Sequence, residues 1–307
     1  MEDYNKIIES LNVKFVKGKH IRIIQAATLT NHYDTDNYIF LLHEGEIEFG
    51  DDLTPLERGD ILFVPSGKLT HISFGTNPTR IIDNEEYITH RERYFEAIQD
   101  VEQIGRLENS FSYIGFEAKV FDSISFFNSL DIPPFIISGQ HTIARLMREV
   151  ISENITDLNG RNRMLKIKTE QIVVELVRYI LRENMFVEQL ATNSTYFKDP
   201  RLIDIFNYIR EQLGNDLSNK VLANVANVSE DYVGQYFKLL TGINPQDYIE
   251  YQRMERAVML LRTSKRSIRD IGSDVGYKDT AYFCRRFKMM FGIPAGKMRR
   301  RDTLMSA

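Results

Sequence analysis

The last third of this 307-residue chain repeats one pattern, a short amphipathic helix followed by a turn and a second short helix. The first copy starts at Ser218, which suits a helix N-cap, and turns at Asn227, a residue type that tolerates the left-handed conformation. In the second copy, Ser267 caps a helix predicted over 268–275. A longer helix, predicted over 246–262, joins the two copies. This arrangement predicts an all-α domain.

In each copy the second helix has one apolar face and one polar face. The apolar residues stand at helical spacing: Val233, Tyr236 and Phe237 in the first copy, and Phe283 and Phe287 in the second. Two such helices held about one DNA turn apart, roughly 34 Å, can enter successive major grooves of a duplex. The pattern therefore predicts a DNA-binding domain with two helix-turn-helix units.

Charge is distributed unevenly along the chain. Residues 196–307 contain 19 lysines and arginines against 13 aspartates and glutamates, whereas residues 1–195 contain 20 against 30, and the whole chain has a net charge of −4. Neutralisation of phosphates by cations supplies much of the affinity of proteins for DNA. The positive C-terminal part therefore agrees with binding of double-stranded DNA there.

The C-terminal domain resembles the AraC/XylS family of bacterial transcription regulators over roughly residues 200–300. The residues that carry the resemblance lie in the second copy and in the joining helix: 268–277, 281–288, 291–294, Tyr248, Ile249, Arg253, Met254, Ala257, Leu260 and Leu261. The departures are Gly272 in place of a usual alanine, Asn227 in place of a usual glycine, and 297–299 at the end. The resemblance implies a DNA-binding domain at 200–303, in an activator that forms a homodimer and works with RNA polymerase.

The outer faces of these second helices hold the candidate DNA contacts. Arg285 is the predicted base reader, because arginine bound to guanine through two hydrogen bonds is the commonest specific contact in the major groove; the alternative is a phosphate contact only. Gln235 is a candidate for reading adenine in the first copy. The remaining candidates are Asp231, Thr280 and Ala281 for bases, and Lys238, Arg286 and Lys288 for phosphates.

Residues 20–128 alternate short β-rich segments with turn-forming residues. Segments such as 38–42 and 61–64 are rich in apolar and aromatic residues, and glycine, proline, asparagine and aspartate stand between them. Many short strands at close spacing predict an antiparallel barrel or sandwich.

The same half resembles, more weakly, the cupin-like sensing domain of such regulators. Residues 45–49, residues 56–67 and His71 carry this resemblance, which implies a β-barrel that binds an effector at 1–135. Metal-dependent proteins with this barrel use a His-x-His pair, which the sequence lacks, so we predict no metal site. The expected effector is a small molecule, such as a sugar or a related metabolite. The candidate contacts are polar side chains on or near strands: Tyr33, Tyr38, His32, His43 and His71.

Beyond the β-rich half the periodicity becomes helical, which predicts a helical segment at 136–190 for packing or dimerisation. Its second helix has a broad apolar stripe, formed by Ile172, Val173, Leu176, Val177, Ile180 and Leu181. The stripe suits either an intramolecular core or a dimer contact. Small polar residues then predict an interdomain linker at 191–199. The predicted fold class is therefore multidomain α+β.

The composition favours a cytoplasmic regulator rather than an enzyme. No stretch of the sequence is long and apolar enough to span a bilayer, and a single cysteine, Cys284, agrees with a reducing compartment. We predict no catalytic residues, no cofactor and no membrane partner. Two alternatives stay open: a ligand-independent dimeric regulator controlled by a protein partner, and a metal-dependent cupin enzyme with a DNA-targeting module. The enzyme requires clustered histidine and glutamate ligands.

Overall fold

The structure, a computed structural model, describes residues 4–32, 34–68, 70–78, 80–120, 124–130, 132–186, 199–241 and 244–299. These residues form two compact units. The N-terminal unit spans 10–186, and the C-terminal unit comprises 199–299 together with a short helix, α1 (Tyr4–Glu9). The predicted linker at 191–199 lies outside the described residues apart from Asp199.

The N-terminal unit is built on two β-sheets. Its strands are β1 (Leu11–Ile23), β2 (Ala27–His32), β3 (Asn37–Glu44), β4 (Ile47–Phe49), β5 (Thr54–Pro55), β6 (Ile61–Val64), β7 (Thr70–Phe74), β8 (Ile81–Ile82), β9 (Phe95–Ile98), β10 (Ser110–Val120), β11 (Ile124–Ser125) and β12 (Phe135–Ile137). The larger sheet has the order β12-β6-β3-β10-β1-β9, with β11 beside β10, and the smaller has the order β5-β4-β7-β2-β8. The described pairs are antiparallel except β2 with β8, which is parallel. Two short helices, α2 (Asn84–His90) and α3 (Phe126–Ser129), connect strands.

The two sheets share one hydrophobic core. Phe74 of the smaller sheet packs against Phe95 and Phe111 of the larger sheet, with ring centroids 5.0 and 5.3 Å apart. Aromatic side chains bury large apolar areas and so contribute strongly to the stability of a core. Contacts of this kind hold the sheets face to face.

The described strands form an open sandwich rather than a closed barrel. The two sheets stay separate, and the outer strands β5 and β8 of the smaller sheet have only two residues each. Strands this short provide too few backbone hydrogen bonds to join one sheet to the other. The prediction of an antiparallel β domain followed by a helical DNA-binding region is confirmed, but the prediction of barrel closure is wrong.

Strand β3 is buried on both faces because it is central in its sheet and helices cover the outer side. Tyr38 and Phe40 belong to the core between the sheets. Leu41 and His43, which are also buried, point to the other face, since neighbouring residues of a strand alternate. The continuous apolar segment in the sequence reflects this double burial.

Two helices, α4 (His141–Ile155) and α5 (Arg161–Arg182), pack on the outer side of the larger sheet. Gly18 of β1 permits the approach of α4: a Cβ there would lie 3.1 Å from Cδ1 of Ile151, and Nδ2 of Asn154 donates to the Gly18 carbonyl at 2.8 Å. Most of the predicted apolar stripe of α5 is buried inside this unit: Ile172, Val173, Leu176, Val177 and Ile180. Leu181 is half-buried. The buried side chains belong to the intramolecular core, and a role of the segment at 136–190 in dimerisation stays a prediction.

The C-terminal unit is helical and follows the predicted repeat. Its helices are α6 (Pro200–Glu211), α7 (Asn219–Ala226), α8 (Glu230–Thr241), α9 (Pro245–Thr263), α10 (Ile268–Asp274) and α11 (Thr280–Phe291), followed by a helical turn at 295–299. Asp199 and Asp279 cap α6 and α11 by accepting hydrogen bonds from backbone N–H groups. Asn227 has the predicted left-handed conformation, with φ of 57°, and Gly276 takes that conformation in the second copy. Within the described residues, no helix has the length and apolar character needed to cross a membrane.

Candidate nucleic-acid interface

Helix α11, the second helix of the second copy, is held by three phenylalanines. Phe283, Phe287 and Phe291 are buried, and successive ring centroids lie 5.7 and 4.5 Å apart. Gly272 of α10 faces Phe283: a Cβ there would lie 3.1 Å from Cδ1 of the ring, so the glycine found in place of alanine leaves the ring room. The predicted inner face is confirmed, and the opposite face of α11 points outward.

The outward face of α11 differs in part from the predicted contact set. Its exposed side chains are Ala281, Tyr282, Arg285, Lys288 and Met289. The candidate Thr280 is only half-buried because it lies closer to the apolar side. Tyr282 and Met289 are 47% and 72% exposed and were not predicted contacts. Their spacing from Arg285, three residues before and four after, is the signal that places them on the same face.

Arg285 lies at the centre of this exposed face. Its guanidinium carbon is 5.9 Å from the centroid of the Tyr282 ring, which allows a cation–π attraction. Among the described residues, no carboxylate forms an ion pair with this guanidinium. The donors of Arg285 therefore point away from the body of the unit, as hydrogen bonding to a base edge requires.

Arg286 is placed differently from its neighbour. Its Nε donates to Oε1 of Glu250 on α9 at 2.6 Å, and its Nη2 donates to Oε2 of the same carboxylate. This two-bond pair raises the pKa of Arg286 and ties α11 to α9. The pair gives Arg286 a packing role, and its predicted phosphate contact stays a prediction.

Helix α8, the second helix of the first copy, has one buried and one exposed face like α11, but its exposed side chains differ from those of α11. Val233, Tyr236 and Phe237 are buried as predicted. The candidates Asp231, Gln235 and Lys238 are exposed, and so is Tyr232. Gln235 takes the place in α8 that Arg285 takes in α11. The helix begins with Glu230 and Asp231, and this acidic first turn makes the first copy a weaker surface for a polyanion.

The start of the first copy is braced by a salt bridge beside Tyr236. Nε and Nη2 of Arg201 donate to the Asp199 carboxylate at 3.2 and 2.9 Å. The guanidinium carbon of Arg201 also lies 4.9 Å from the centroid of the Tyr236 ring. Hydrogen bonding from Arg201 lowers the pKa of Asp199 to about 2. These contacts fix the beginning of α6 against α8.

In the N-terminal unit, the candidate effector contacts Tyr38 and His43 lie on opposite faces of β3. The Tyr38 ring belongs to the core between the sheets, and its hydroxyl donates to Oδ2 of Asp34 at 2.8 Å. Nζ of Lys17 lies 5.2 Å from the centroid of this ring and 3.8 Å from the same carboxylate oxygen. Tyr38 and His43 therefore cannot line one pocket.

His43 belongs to a buried polar row across β1, β10 and β3. Oγ of Ser112 lies 3.1 Å from Nδ1 of His20 and 2.8 Å from Nε2 of His43. A hydroxyl can donate to one ring nitrogen while it accepts from the other, so Ser112 can serve both rings when they are neutral. The second nitrogens, Nε2 of His20 and Nδ1 of His43, are buried without a hydrogen-bond partner among the described residues. Burial and the neighbouring His20 lower the pKa of His43 to about 3, and burial also lowers the pKa of His20.

This shift predicts a loss of stability in acid. The folded-state pKa of His43, about 3, lies below its ordinary value of 6.5, so the unfolded chain binds a proton that the folded chain excludes between these values. Lowering the pH from about 7.5 to about 5 is expected to reduce the free energy of unfolding by about 2 kcal/mol through His43. The measurement is urea unfolding of the full chain followed by near-ultraviolet circular dichroism at each pH.

The test needs two matched substitutions. His43→Gln keeps a polar group for Ser112 and removes the titration of His43, so it is expected to remove about 2 kcal/mol of the pH dependence and to leave the part that the lowered pKa of His20 contributes. His71→Gln, at a half-exposed ring whose Nδ1 lies 3.4 Å from Oδ1 of Asp51, is expected to keep the wild-type slope. An unchanged slope in His43→Gln would contradict the assignment.

The remaining candidate effector contacts are Tyr33 and His32. Tyr33 lies outside the described residues, and the described backbone of His32 forms the end of β2. In the described part of the chain, no three histidine, cysteine, aspartate or glutamate side chains are grouped so that they could hold a metal ion.

Comparisons with known proteins agree with the geometry of the C-terminal unit. A family model described as a helix-turn-helix domain matches residues 222–301. The Msm operon regulatory protein of Streptococcus mutans is 26% identical over 193 residues, which cover 62% of this chain and 67% of that protein. An uncharacterized HTH-type transcriptional regulator of Haemophilus influenzae is 21% identical over 272 residues, 86% of each chain. The chain spans only about a third, 31%, of the length of a Staphylococcus aureus HTH-type regulator to which it is 24% identical.

Solved structures show the same two-part fold. ToxT from Vibrio cholerae O395 matches 96% of this chain and 99% of its own with a TM-score of 0.52 at 13% identity. A second structure shows ToxT bound to (E)-4-(8-methylnaphthalen-1-yl)but-3-enoic acid. The chain is a DNA-binding transcription regulator of the helix-turn-helix class, not an enzyme. More narrowly, residues 222–301 of the C-terminal unit match the helix-turn-helix domain model, and the two-part fold of the chain is similar to that of ToxT.

Proposed function

We propose that the C-terminal unit reads two successive major-groove half-sites, with α11 as the main reader. The observation that carries the proposal is the exposed position of Arg285 on a helix whose opposite face is buried. Lys288, one turn further on, supplies a cation for the adjacent phosphates. Helix α8 presents Gln235 and Lys238 beside an acidic first turn, so we assign it the weaker half-site.

Selection of duplexes from a random pool by the full chain tests this function. Bound duplexes are expected to show two protected patches of DNA backbone on one face, separated by one turn, roughly 10 base pairs. The measurement is hydroxyl-radical footprinting at moderate salt, which reports protection whatever base is present. A single protected patch would contradict reading by two helices, and failure to enrich any sequence would contradict specific binding.

We further propose that the N-terminal unit binds a small molecule at the Tyr38 end of its core. Ligand sites in proteins combine apolar walls with a few polar groups. Here the rings of Phe40 and Tyr113 lie 5.9 and 6.0 Å from that of Tyr38, beside the polar pair of Lys17 and Asp34. The ligand of ToxT supports an organic acid as one class to test, beside the sugars expected from the sequence.

The ligand is proposed to act by binding unequally to two states of the regulator that differ in affinity for DNA. Melting temperature and DNA affinity of the full chain, measured with the naphthalenyl acid and with simple sugars, test this role. A rise in melting temperature together with a change in DNA affinity supports it. No change with either class favours the alternative in which a protein partner controls a dimeric regulator.

Homodimer formation, activation and contact with RNA polymerase are also part of the proposal. They rest on the resemblance of residues 200–300 to the AraC/XylS family. Sedimentation of the full chain and transcription in vitro from a selected site, with and without the protein, measure these properties.

A further inference from the structure

We propose that one polar face of α9 fixes the distance between α8 and α11 and thereby selects the spacing of the two half-sites. This face, named the spacer face, consists of Gln246, Glu250 and Arg253. The three residues follow each other at intervals of four and three, which places them on one side of a helix. The inference rests on the proposed function, because it concerns how two helix-turn-helix units share one duplex.

The spacer face binds the segment that leads into the first copy through backbone carbonyls. Nε of Arg253 donates to the carbonyl of Leu213 at 2.9 Å, and its Nη2 donates to that of Asn215 at 2.8 Å. Nε2 of Gln246 donates to the carbonyl of Leu217 at 2.9 Å. These carbonyls lie in the segment between α6 and α7, where the end of a helix leaves acceptors unpaired. The segment before the first copy is therefore tied to α9 at three points, and Nε2 of Gln246 also donates to Oδ1 of Asn219 in α7 at 3.2 Å.

The same face binds the second copy through Glu250. Its carboxylate accepts the two bonds from Arg286 of α11 and one from the hydroxyl of Tyr277 at 3.4 Å. Tyr277 stands in the turn between α10 and α11, and its ring centroid lies 5.4 Å from that of Phe283. Both the turn and the outward-facing helix of the second copy are thus fixed to α9.

Two glycines allow the second copy to lie close to the joining helix and to the segment before the first copy. Gly276 has a φ of +93°, and a Cβ there would lie 2.8 Å from Cζ of Arg253, so only glycine fits both the turn and the guanidinium. Gly214, which follows α6, packs against the carbonyl of Asp274 at the end of α10, where a Cβ would collide with that oxygen. Side chains at these positions would push the two copies apart.

Together these contacts mean that the spacer face of α9 determines the distance between α8 and α11. A guanidinium is planar and holds two acceptors in a fixed geometry, which the single ammonium of lysine does not reproduce. Moving one copy relative to the other requires breaking the bonds of Arg253 or separating Gly214 from Asp274. The protein is therefore expected not to adjust to a duplex whose half-sites are one base pair closer or further apart.

The test uses a duplex selected by the full chain and two derivatives, with one base pair inserted or removed between the half-sites. Wild-type protein is expected to bind each derivative about tenfold more weakly, or worse. In Arg253→Lys and in Gly276→Ala this spacing penalty is expected to fall to about threefold or less. Arg256→Lys is the matched control, because this exposed arginine lies on the same helix outside the spacer face; it is expected to keep the wild-type penalty.

The outcomes separate the inference from the proposed function and from simple unfolding. Folded variants that keep the full penalty, or that weaken binding equally at every spacing, overturn the inference. If Arg253→Lys and Gly276→Ala do not fold, Gln246→Ala decides. Loss of its bonds to the Leu217 carbonyl and to Oδ1 of Asn219 is expected to reduce the penalty by about threefold, and an unchanged penalty overturns the inference. If selection enriches no duplex, the proposed function itself fails.

Discussion

Replacement of Arg285 by alanine is expected to weaken binding to a selected duplex by about 5- to 150-fold, or about 1 to 3 kcal/mol, and to relax the preference at one base pair. The reason is geometric. The guanidinium is outward, lies over the Tyr282 ring at 5.9 Å, and is free of ion pairs to described carboxylates, so its donors can reach a base edge. Fluorescence anisotropy with the selected duplex and with single base-pair variants measures both effects.

Lys238 provides the matched control for this experiment. It is exposed on α8, and its expected contact is with a phosphate, which carries no sequence information. Lys238→Ala should therefore weaken selected and random duplexes alike and reduce the dependence of affinity on salt. If Arg285→Ala also weakens selected and random DNA equally, Arg285 contacts phosphate only.

Replacement of Phe287 by alanine is expected to reduce the free energy of unfolding of the C-terminal unit by about 3 to 5 kcal/mol. The ring is fully buried, and its centroid lies 5.7 Å from that of Phe283 and 4.5 Å from that of Phe291. Removing it leaves a cavity beneath α11, so DNA binding is expected to fail with stability. Urea unfolding followed by circular dichroism at 222 nm measures the loss.

Met289 is the control on the same helix. Its side chain is 72% exposed, and its removal is expected to change the free energy of unfolding by no more than about 0.5 kcal/mol. Equal unfolding midpoints for Phe287→Ala and Met289→Ala would contradict the buried face assigned to α11.

Much of the C-terminal unit follows from local sequence signals. The caps at Ser267 and Asp279, the left-handed Asn227 and the apolar spacing of α8 and α11 each depend on residues within one or two helical turns. The ion pair between Arg286 and Glu250 does not follow from local signals, because the two residues are 36 positions apart in the sequence. The pattern of α11 alone predicts that Arg285 and Arg286 both point outward. Tyr282 shows a different failure: helical spacing marks it as exposed, but aromatic residues are usually read as core.

For the N-terminal unit, the sequence predicts the strands but not how the sheets are arranged. Strand alternation places Tyr38 and His43 on opposite faces once the strand is known, and the structure follows this rule. Whether sheets close depends on pairing between strands far apart in sequence, and a barrel and a sandwich require the same alternation. For the same reason the sequence left two alternatives for the apolar stripe of α5, an intramolecular core or a dimer contact. Periodicity shows that a face is apolar, whereas the packing of the fold decides what covers it.

The spacer face binds the segment before α7 through main-chain oxygens of Leu213, Asn215 and Leu217, not through their side chains. Each of these carbonyls is present whatever residue stands there. Replacements at Leu213, Asn215 and Leu217 are therefore expected to leave the separation of the two copies unaltered, whereas Gly214 between them must stay glycine because a Cβ there would collide with the Asp274 carbonyl. If the proposals hold, the residues on the outward faces of α8 and α11 set base preference and the spacer face sets half-site separation, so base preference can change while the separation of the half-sites stays the same.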